Sequence, residues 1–568
     1  MDSDPSGAVR CCAPAKESDL RFIEGRWCAA ALIISLSAWF AGIEVRLHAA
    51  PPAKSKRDSA LQTTPVGTVS VIVSTQAGQT DAVAARLVQR GRSVRHRYAV
   101  IDAVAADATA DDLAALDADP TVMSVSIDAT VAAADNSQSA SSSYTLLPTL
   151  GLPDAGLTGK GVGVAVIDSG VQPNGDFSGA SFYDFTSPGS SGPYDDFGHG
   201  THVSGLIASK GNLSQGAYTG IAPRVRLISL KVLDAQGQGS TSTVIDAIEF
   251  AVQNRQSLGV DVINLSLGHP IFESLATDPL VQAVEAAVRA GIVVVVSAGN
   301  VGRSLTTNLP GYGGILSPGN APSAITVGAL DTRDTISRGD DAVAAFSSRG
   351  PTWYDAQSKP DIVAPGQALV SDASIGSTLF TEFPAAQIAG NGGAARFLRL
   401  SGTSMSAAVT SGVVALIIEA SRSSSGATLP PDAVKAILEY TALPLNGPDP
   451  LTQGHGAINP SGAIALTSSL GVTGWLGGVG TTSLVPTTTI AAETWVWSQS
   501  FDNGDTVVWG DGGGEPTWAE TVVWGDINWG DTVVWGDAGT IGWSVTVVWG
   551  NADGWGDTVV WGDTNGVR

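Results

Sequence analysis

After residue 28 the sequence has no cysteine, because its 3 cysteines, Cys11, Cys12 and Cys28, all fall before that point. The rest of the chain therefore has no thiol for a disulfide, for a Cys-ligated zinc or for a cysteine nucleophile. Positive charge is scarce as well: 30 Lys and Arg stand against 53 Asp and Glu, a formal net charge of −23. Nucleic acid and anionic membrane surfaces reward basic patches, so both are excluded as principal partners. What is present suffices for a packed core, since 43% of the 568 residues are apolar, and the length allows two to four domains.

The N-terminus carries Arg10, Lys16, Arg21 and Arg26 ahead of an apolar run over residues 27–43. This pattern predicts an export signal within residues 1–50, cleaved near Leu47-His48-Ala49-Ala50, and hence a secreted or cell-surface protein. The alternative is an uncleaved membrane anchor formed by residues 27–43. Residues 51–65, rich in Pro, Lys, Ser and Thr, have the composition of a linker.

Residues 66–133 alternate between β and helical patterns, with strands expected at 69–73, 93–104 and 122–127 and helices at 81–89 and 110–116. This predicts a small α+β unit. A Ser-rich linker at 134–146 follows, a composition that invites proteolytic processing. In residues 147–468 short, largely apolar strand candidates at 163–167, 225–232, 260–265, 291–296 and 324–327 alternate with helical stretches such as 243–253 and 279–290. Strands of that kind are buried on both faces, which predicts an α/β fold, a parallel sheet covered by helices on both sides. Residues 469–492 form an expected linker to a tail, 493–568, in which Thr-Val-Val-Trp-Gly begins at Thr506, Thr521, Thr532, Thr546 and Thr558. The unequal spacing suits short β segments joined by Gly and Asp turns better than a strict solenoid.

Four segments of the α/β region place reactive side chains at strand ends or helix starts. In Val164-Ala-Val-Ile-Asp168-Ser-Gly170 a buried strand ends in a carboxylate that can orient an imidazole, although many strands end in Asp for a turn. In Gly198-His199-Gly200-Thr201-His202 a helix opens with a His suited to be a general base; His202 is expected to be a packing residue. The two His are three apart with no adjacent Glu and no third ligand in view, so they do not form a zinc-hydrolase motif. In Ser401-Gly402-Thr403-Ser404-Met405 a Ser sits at the start of an apolar helix, where amide N–H groups favour a nearby oxyanion and where a simple N-cap is the alternative. In Ser297-Ala298-Gly299-Asn300 a buried strand leads to a side-chain amide that could donate to an oxyanion or serve a turn.

Taken in chain order, Asp168, His199 and Ser404 and their flanking residues resemble the subtilisin-type (subtilase) serine peptidases over residues 159–468. The resemblance implies a triad of Asp168, His199 and Ser404 and an oxyanion hole built from Asn300 and the Ser404 amide. Substrate would lie as an added strand between Gly237, Gln238, Gly239 on one side and Ser266, Leu267, Gly268 on the other. The small, uncharged walls Ser266–Gly268 and Ser297–Gly299 imply an apolar residue before the scissile bond. Residues 66–133 resemble the family's inhibitor-like propeptide, which implies a precursor whose own N-terminal unit occupies the cleft through 122–133 until it is removed. Expected partners are polypeptide substrates and this propeptide, with no nucleic acid, a monomeric state, and membrane contact only through an uncleaved anchor. No cofactor is required for catalysis; the family's calcium loop has no clear match, with Asp176 near where one ligand would fall, so the resemblance allows a structural calcium without predicting one. Two residues depart from the pattern: Ala408 stands where the family has Pro, and His269 where Gly is usual, a change expected to narrow the pocket entrance. A competing reading is a surface-binding protein on the same scaffold whose working part is the Trp-rich tail.

Overall fold

The computed structural model describes residues 55–63, 65–133, 136–137, 145–152, 156–187, 189, 192–303, 309–390, 393–473 and 485–500, with the backbone of 534–535 and 545–546. The expected signal or anchor, residues 1–50, and most of the tail lie outside the described residues.

The small N-terminal unit runs β1 (Val69–Thr75), α1 (Thr80–Gln89), β2 (Val94–Tyr98), β3 (Ala103–Ala108), α2 (Ala110–Ala118) and β4 (Val122–Ile127). Its antiparallel sheet has the order β2-β3-β1-β4. The single strand expected over 93–104 is in fact a hairpin, because the chain reverses between Tyr98 and Ala103 with Asp102 at φ +47°. The apolar run Tyr98-Ala-Val-Ile101, which carries no Gly or Pro, hid the turn. Alternate residues serve two interiors. Val71, Val73, Val104 and Ala106 pack under α1 and α2, while Ile72, Tyr98, Ala103 and Ala105 face the large body. The linker expected over 51–65 is partly structured: Arg57 bridges to Val125, and Leu61 is buried in the small unit's core.

Past this unit a short strand, β5 (Thr130–Ala133), leads toward the large body. There the central parallel strands are β6 (Gly163–Asp168), β7 (Arg226–Lys231), β9 (Val262–Leu265), β11 (Val293–Ser297), β12 (Ile325–Asp331) and β13 (Ile362–Pro365), with a short edge strand β8 (Gln238–Ser240) after β7 and another, β10 (Leu267–Gly268), after β9. The neighbours run β12-β11-β9-β6-β7, with β13 beside β12 and Ser181–Asp184 beside β7, all parallel. Only Ala342–Val343 pairs antiparallel with β12. Their largely apolar character follows from burial on both faces. Val164, Val166, Val293 and Val295 join one core, and Ala165, Ile167, Val294 and Val296 the other.

Five helices position the site: α3 (His199–Ala208), α4 (Thr241–Gln253), α5 (Pro279–Arg289), α6 (Thr403–Ser425) and, beyond them, α7 (Pro431–Thr441). Asp278 caps α5 by accepting from Leu280 N and Val281 N, ahead of Pro279 at the first turn. Among the described residues α6 alone is long and apolar enough to cross a membrane, and its window is 94% buried, which marks it as the core helix. It packs on β9, β11, β12 and β13 and against α3. A further small sheet holds β14 (Leu369–Asp372) and β15 (Ala395–Ser401), and within the expected linker at 134–146 the backbone of Asn136–Ser137 pairs with β15.

The linker expected at 469–492 and the tail expected from 493 divide elsewhere. A helix, α8 (Pro460–Thr473), extends into the former, and a hairpin of β16 (Thr487–Ile490) and β17 (Glu493–Val496) straddles the boundary. Trp497 follows it, 4% exposed, in a cluster with Leu330, Val363, Leu443 and Ile490, and its Nε1–H donates to Thr488 Oγ1 at 2.8 Å. This part of the Trp-rich sequence is core of the large body. Further on, Val534–Trp535 and Val545–Thr546 pair antiparallel. Replacing a buried indole leaves a cavity, so Trp497→Ala is expected to cost about 3–5 kcal/mol and to lower the calorimetric melting temperature; an unchanged melting temperature would mean that the hairpin is not integral to the body.

Candidate active site

Asp168 is the last residue of β6 and His199 the first of α3, and the two meet in the interior at 1% and 0% exposure. His199 Nδ1 lies 2.8 Å from Asp168 Oδ1 and 2.9 Å from Oδ2. A carboxylate accepting from Nδ1–H leaves Nε2, which is buried as well, as the basic ring atom. The approach needs a residue without a side chain at position 200, since a Cβ there would lie 2.3 Å from the Gly170 carbonyl oxygen and 3.2 Å from Asp168 Cβ.

A second carboxylate sets this arrangement. Asp195, 3% exposed, accepts from Ser169 Oγ (2.8 Å), Gly198 N (2.7 Å), Thr201 N (2.8 Å) and Thr201 Oγ1 (2.6 Å). Ser169 Oγ in turn accepts from Gly200 N at 2.8 Å. The residue after Asp168 and the residues flanking His199 are thus tied to one negative charge at the positive end of α3. Lys231, paired in register with Asp168, is fully buried and donates to Ser169 O, Leu233 O and Asp196 Oδ1.

Ser404 is the second residue of α6 and is fully buried. Its Oγ donates to the Ser266 carbonyl at 3.2 Å, while Ser266 Oγ donates to the Ser404 carbonyl at 3.0 Å. Asn264 Nδ2 donates to Ser266 Oγ and Asn264 Oδ1 accepts from Ser411 Oγ, both at 2.9 Å, so hydrogen bonds that each involve a side chain tie the first turns of α6 to the end of β9. Asn300 lies beside this turn. Its Oδ1 accepts from Thr403 N and Thr403 Oγ1, both at 3.0 Å, and its buried Nδ2 makes no hydrogen bond with any described residue. Gly299 N donates to Thr403 Oγ1 at 3.1 Å.

A strand lies between the two segments expected to hold substrate. β5 pairs antiparallel with β8, Ala132 opposite Gln238 and Val131 opposite Gly239, and with β10, Ala133 opposite Leu267 and Ala132 opposite Gly268. Ala133 N donates to Gly237 O at 3.2 Å. Val131 is fully buried in the core it shares with Leu233, Ile245 and Leu267. Ser297 ends β11 and Ala298 continues it, its N–H donating to Val327 O at 3.0 Å.

One expectation changes. His269 does not narrow the cleft: its ring stacks on Phe272 at 5.7 Å, its Nδ1 is 2.8 Å from Pro270 O, and it lines a small cavity with Asp58, Ser126, Glu273 and Asp278. Asp176 directs its carboxylate to the backbone N–H groups of Asn212 and Leu213 and lies against Asp372, whose carboxyl is pushed up to about 7 by burial. His202 has the packing role expected of it. It is fully buried, its Nε2 is 3.1 Å from the carbonyls of Leu369 and Leu398, and burial holds its pKa down to about 3. Ser169, Asp195, Asn264, Thr403 and Ser411 were not singled out in the sequence. A polar Asn inside the apolar strand over 260–265 was the one local signal for Asn264.

Comparison with known proteins places this geometry. Residues 159–475 match the model of the peptidase S8, or subtilase, family, more than half of the chain. The chain belongs to the subtilase family. Serine protease AprX of Bacillus subtilis strain 168 is 40% identical over 310 residues, covering 53% of this chain and 66% of AprX. Subtilisin E of the same strain is 36% identical over 288 residues, 50% of this chain and 66% of that protein. The chain thus spans just under two thirds of these two relatives. Subtilisin DY of Bacillus licheniformis is 34% identical over 308 residues, 54% of this chain and 91% of its own. Among solved structures, fervidolysin of Fervidobacterium pennivorans, described as a keratinolytic enzyme related to subtilisin, superposes with a TM-score of 0.56 at 22% identity over 73% of this chain and 64% of its own, which supports the shared fold.

In this subtilase Asp195→Ala would leave two backbone amides and two hydroxyls without their buried acceptor. A loss on the order of 3 kcal/mol is expected, read by denaturant unfolding, together with faster hydrogen exchange at the start of α3. Unaltered exchange there would show that the carboxylate does not anchor the helix.

Proposed function

We propose that the chain is the precursor of an exported serine endopeptidase. The observation that carries this reading is β5, an extended segment of the chain's own, hydrogen-bonded between β8 and β10. A peptide seated in that register and continued one residue past Ala133 falls opposite Ser266, whose carbonyl accepts the Ser404 hydroxyl. Ser404 Oγ attacks the carbonyl carbon of that residue as His199 Nε2 removes the hydroxyl proton. Asp168 holds Nδ1–H and stabilises the imidazolium. The oxyanion takes hydrogen bonds from Asn300 Nδ2 and Ser404 N; Thr403 holds the amide so that its N–H end is the one left for it. Collapse of the tetrahedral centre passes the proton from His199 to the leaving amine, and water repeats the cycle on the acyl-enzyme. Each proton and donor comes from these side chains and amides, so no cofactor takes part.

The small unit, residues 55–133, acts as the intramolecular inhibitor, and cleavage between Ala133 and Asn136 separates it from a monomeric mature body. The basic and apolar N-terminal sequence directs the chain out of the cytoplasm, with residues 27–43 as an anchor if they are retained. Polypeptides are the substrates, and the acidic charge leaves no role for nucleic acid.

In the secreted wild type, a fluorophosphonate should label Ser404 and sequencing should find a new N-terminus between residues 134 and 136. Ser404→Ala should do neither and remain at precursor length; a folded, unlabelled wild type would falsify the reading. Asn300→Ala should lower kcat by about 10² to 10³ with little change in KM, a scale set by a subtilisin rather than by this site.

Release of the small unit should respond to pH. His96 of β2 faces Asp246 and Glu249 of α4, each 3.2 Å away. The hydrogen bond to Glu249 raises the His96 pKa above its usual 6.5. Burial raises Asp246 to about 6 and, across the same interface, Glu273 to about 7. Burial alone would raise Glu249 too, but the hydrogen bonds from His96 and Ala99 N outweigh it and hold it low. The His96 contribution to docking is complete below pH 6.5 and disappears as pH rises through the elevated docked value. Asp246 and Glu273 also favour the docked state while protonated, a contribution lost as pH rises from their ordinary values of 3.8 and 4.5 through about 6 and about 7, so docking weakens as pH rises from about 4 and, through His96, above 6.5. Glu249 acts oppositely, but only in acid. Release at each pH, followed by activity at one common assay pH, should accelerate over that range in the wild type and respond less in His96→Gln; identical profiles would remove His96 from the mechanism.

A further inference from the structure

The two walls flanking the acyl side of the cleft end in Gly268 and Gly299, and one side chain lies against both. A Cβ at Gly299 would come within 2.8 Å of Leu316 Cγ and 3.0 Å of Leu316 Cδ1; one at Gly268 would come within 3.1 Å of Leu316 Cβ. Leu316 is fixed there by its backbone, since its N–H donates to Ala298 O at 3.1 Å and the next residue, Ser317, exchanges hydrogen bonds with His269 at 2.9 and 3.0 Å. The side chain is partly exposed, so it stands at the surface of the cleft rather than beneath it.

We propose that Leu316 determines specificity by barring the pocket between these walls, so that the residue before the scissile bond must be small: Ala, Gly or Ser. This rests on the peptidase reading above and narrows its apolar preference to a size limit. A substrate side chain entering between Gly268 and Gly299 meets the isobutyl group where two glycines would otherwise leave depth. A methyl group stops short of it, whereas a benzyl or long aliphatic group must displace a residue whose backbone is held on both sides. Close-packed neighbours of that kind yield little. The chain's own occupant agrees with the limit: the sequence from β5 toward the cleavage segment is Val131-Ala-Ala-Ala134, with no side chain larger than methyl after Val131.

The test uses the matured full chain and two peptide p-nitroanilides, succinyl-Val-Ala-Ala-Ala and succinyl-Val-Ala-Ala-Phe, with fluorophosphonate labelling of the same preparations. The wild type is expected to favour the Ala substrate in kcat/KM by on the order of tenfold or more. Leu316→Ala should raise kcat/KM for the Phe substrate by a similar factor and narrow or reverse the ratio, whereas Leu316→Met, of similar volume, should keep the preference for Ala. Labelled wild-type enzyme that cleaves the Phe substrate as well as the Ala one overturns the size limit, and a labelled Leu316→Ala with the wild-type ratio removes Leu316 as its cause; in both cases the peptidase reading stands. Absence of labelling and of cleavage in the wild type overturns both together.

Discussion

The structure around the cleft depends on a single constraint: the start of α6 must sit at the carboxyl end of β9 although no backbone ladder joins a helix to a sheet. The reciprocal hydrogen bonds between Ser266 and Ser404, extended through Asn264 to Ser411, supply that junction. All four residues are buried, so water competes poorly for these groups, and loss of a partner leaves a polar atom stranded. The apolar length of α6 fixes the helix as a body, and this short polar chain fixes its register. Asn300 depends on the same junction, because the residue holding its amide oxygen, Thr403, belongs to that first turn.

The sheet was legible in the sequence because two-sided burial leaves few choices. The apolar runs over 163–167, 260–265 and 291–296 became β6, β9 and β11, and the residues at or just past their ends line the proposed site. Asp168 and His199 were legible for the same reason: a strand terminus and a helix start are marked by an abrupt change from apolar to polar and Gly residues. Asp195 was not, since its role is defined by four donors gathered from a loop and a helix start, and nothing in an Asp-Asp-Phe sequence announces that convergence. The hairpin of β2 and β3 was missed because its turn carries neither Gly nor Pro and an Asp supplies the positive φ. Leu316 was missed for a different reason, as a leucine before Ser-Pro is unremarkable until the two glycines it touches are seen beside it.

Composition misled at domain edges. Residues 51–65 have the make-up of a linker, yet Leu61 is buried, and residues 469–492 look like a spacer although they contribute half of a packed hairpin. In both places a single large apolar residue outweighs polar neighbours, because burying one such side chain is worth about 1.5–3 kcal/mol, whereas a solvated Ser or Thr costs the fold little. The Trp-rich stretch divides in the same way: Trp497 is integral to the body, which removes it from any account of the repeats that follow.

The three-strand arrangement of β8, β5 and β10 also bears on how the large body survives its own synthesis. Without β5 the cleft presents two unpaired strand edges facing each other, and open edges are templates for pairing between chains. The parallel sheet beside them joins strands distant in sequence and assembles slowly, which prolongs the interval in which such edges are exposed. In the precursor proposed above, an N-terminal unit made first, and attached at a length that lets its last strand close both edges at once, would suppress pairing between chains at those edges. β5 would in this sense be an edge guard for a nascent sheet, and its release would mark the point at which the remaining chain must tolerate open edges.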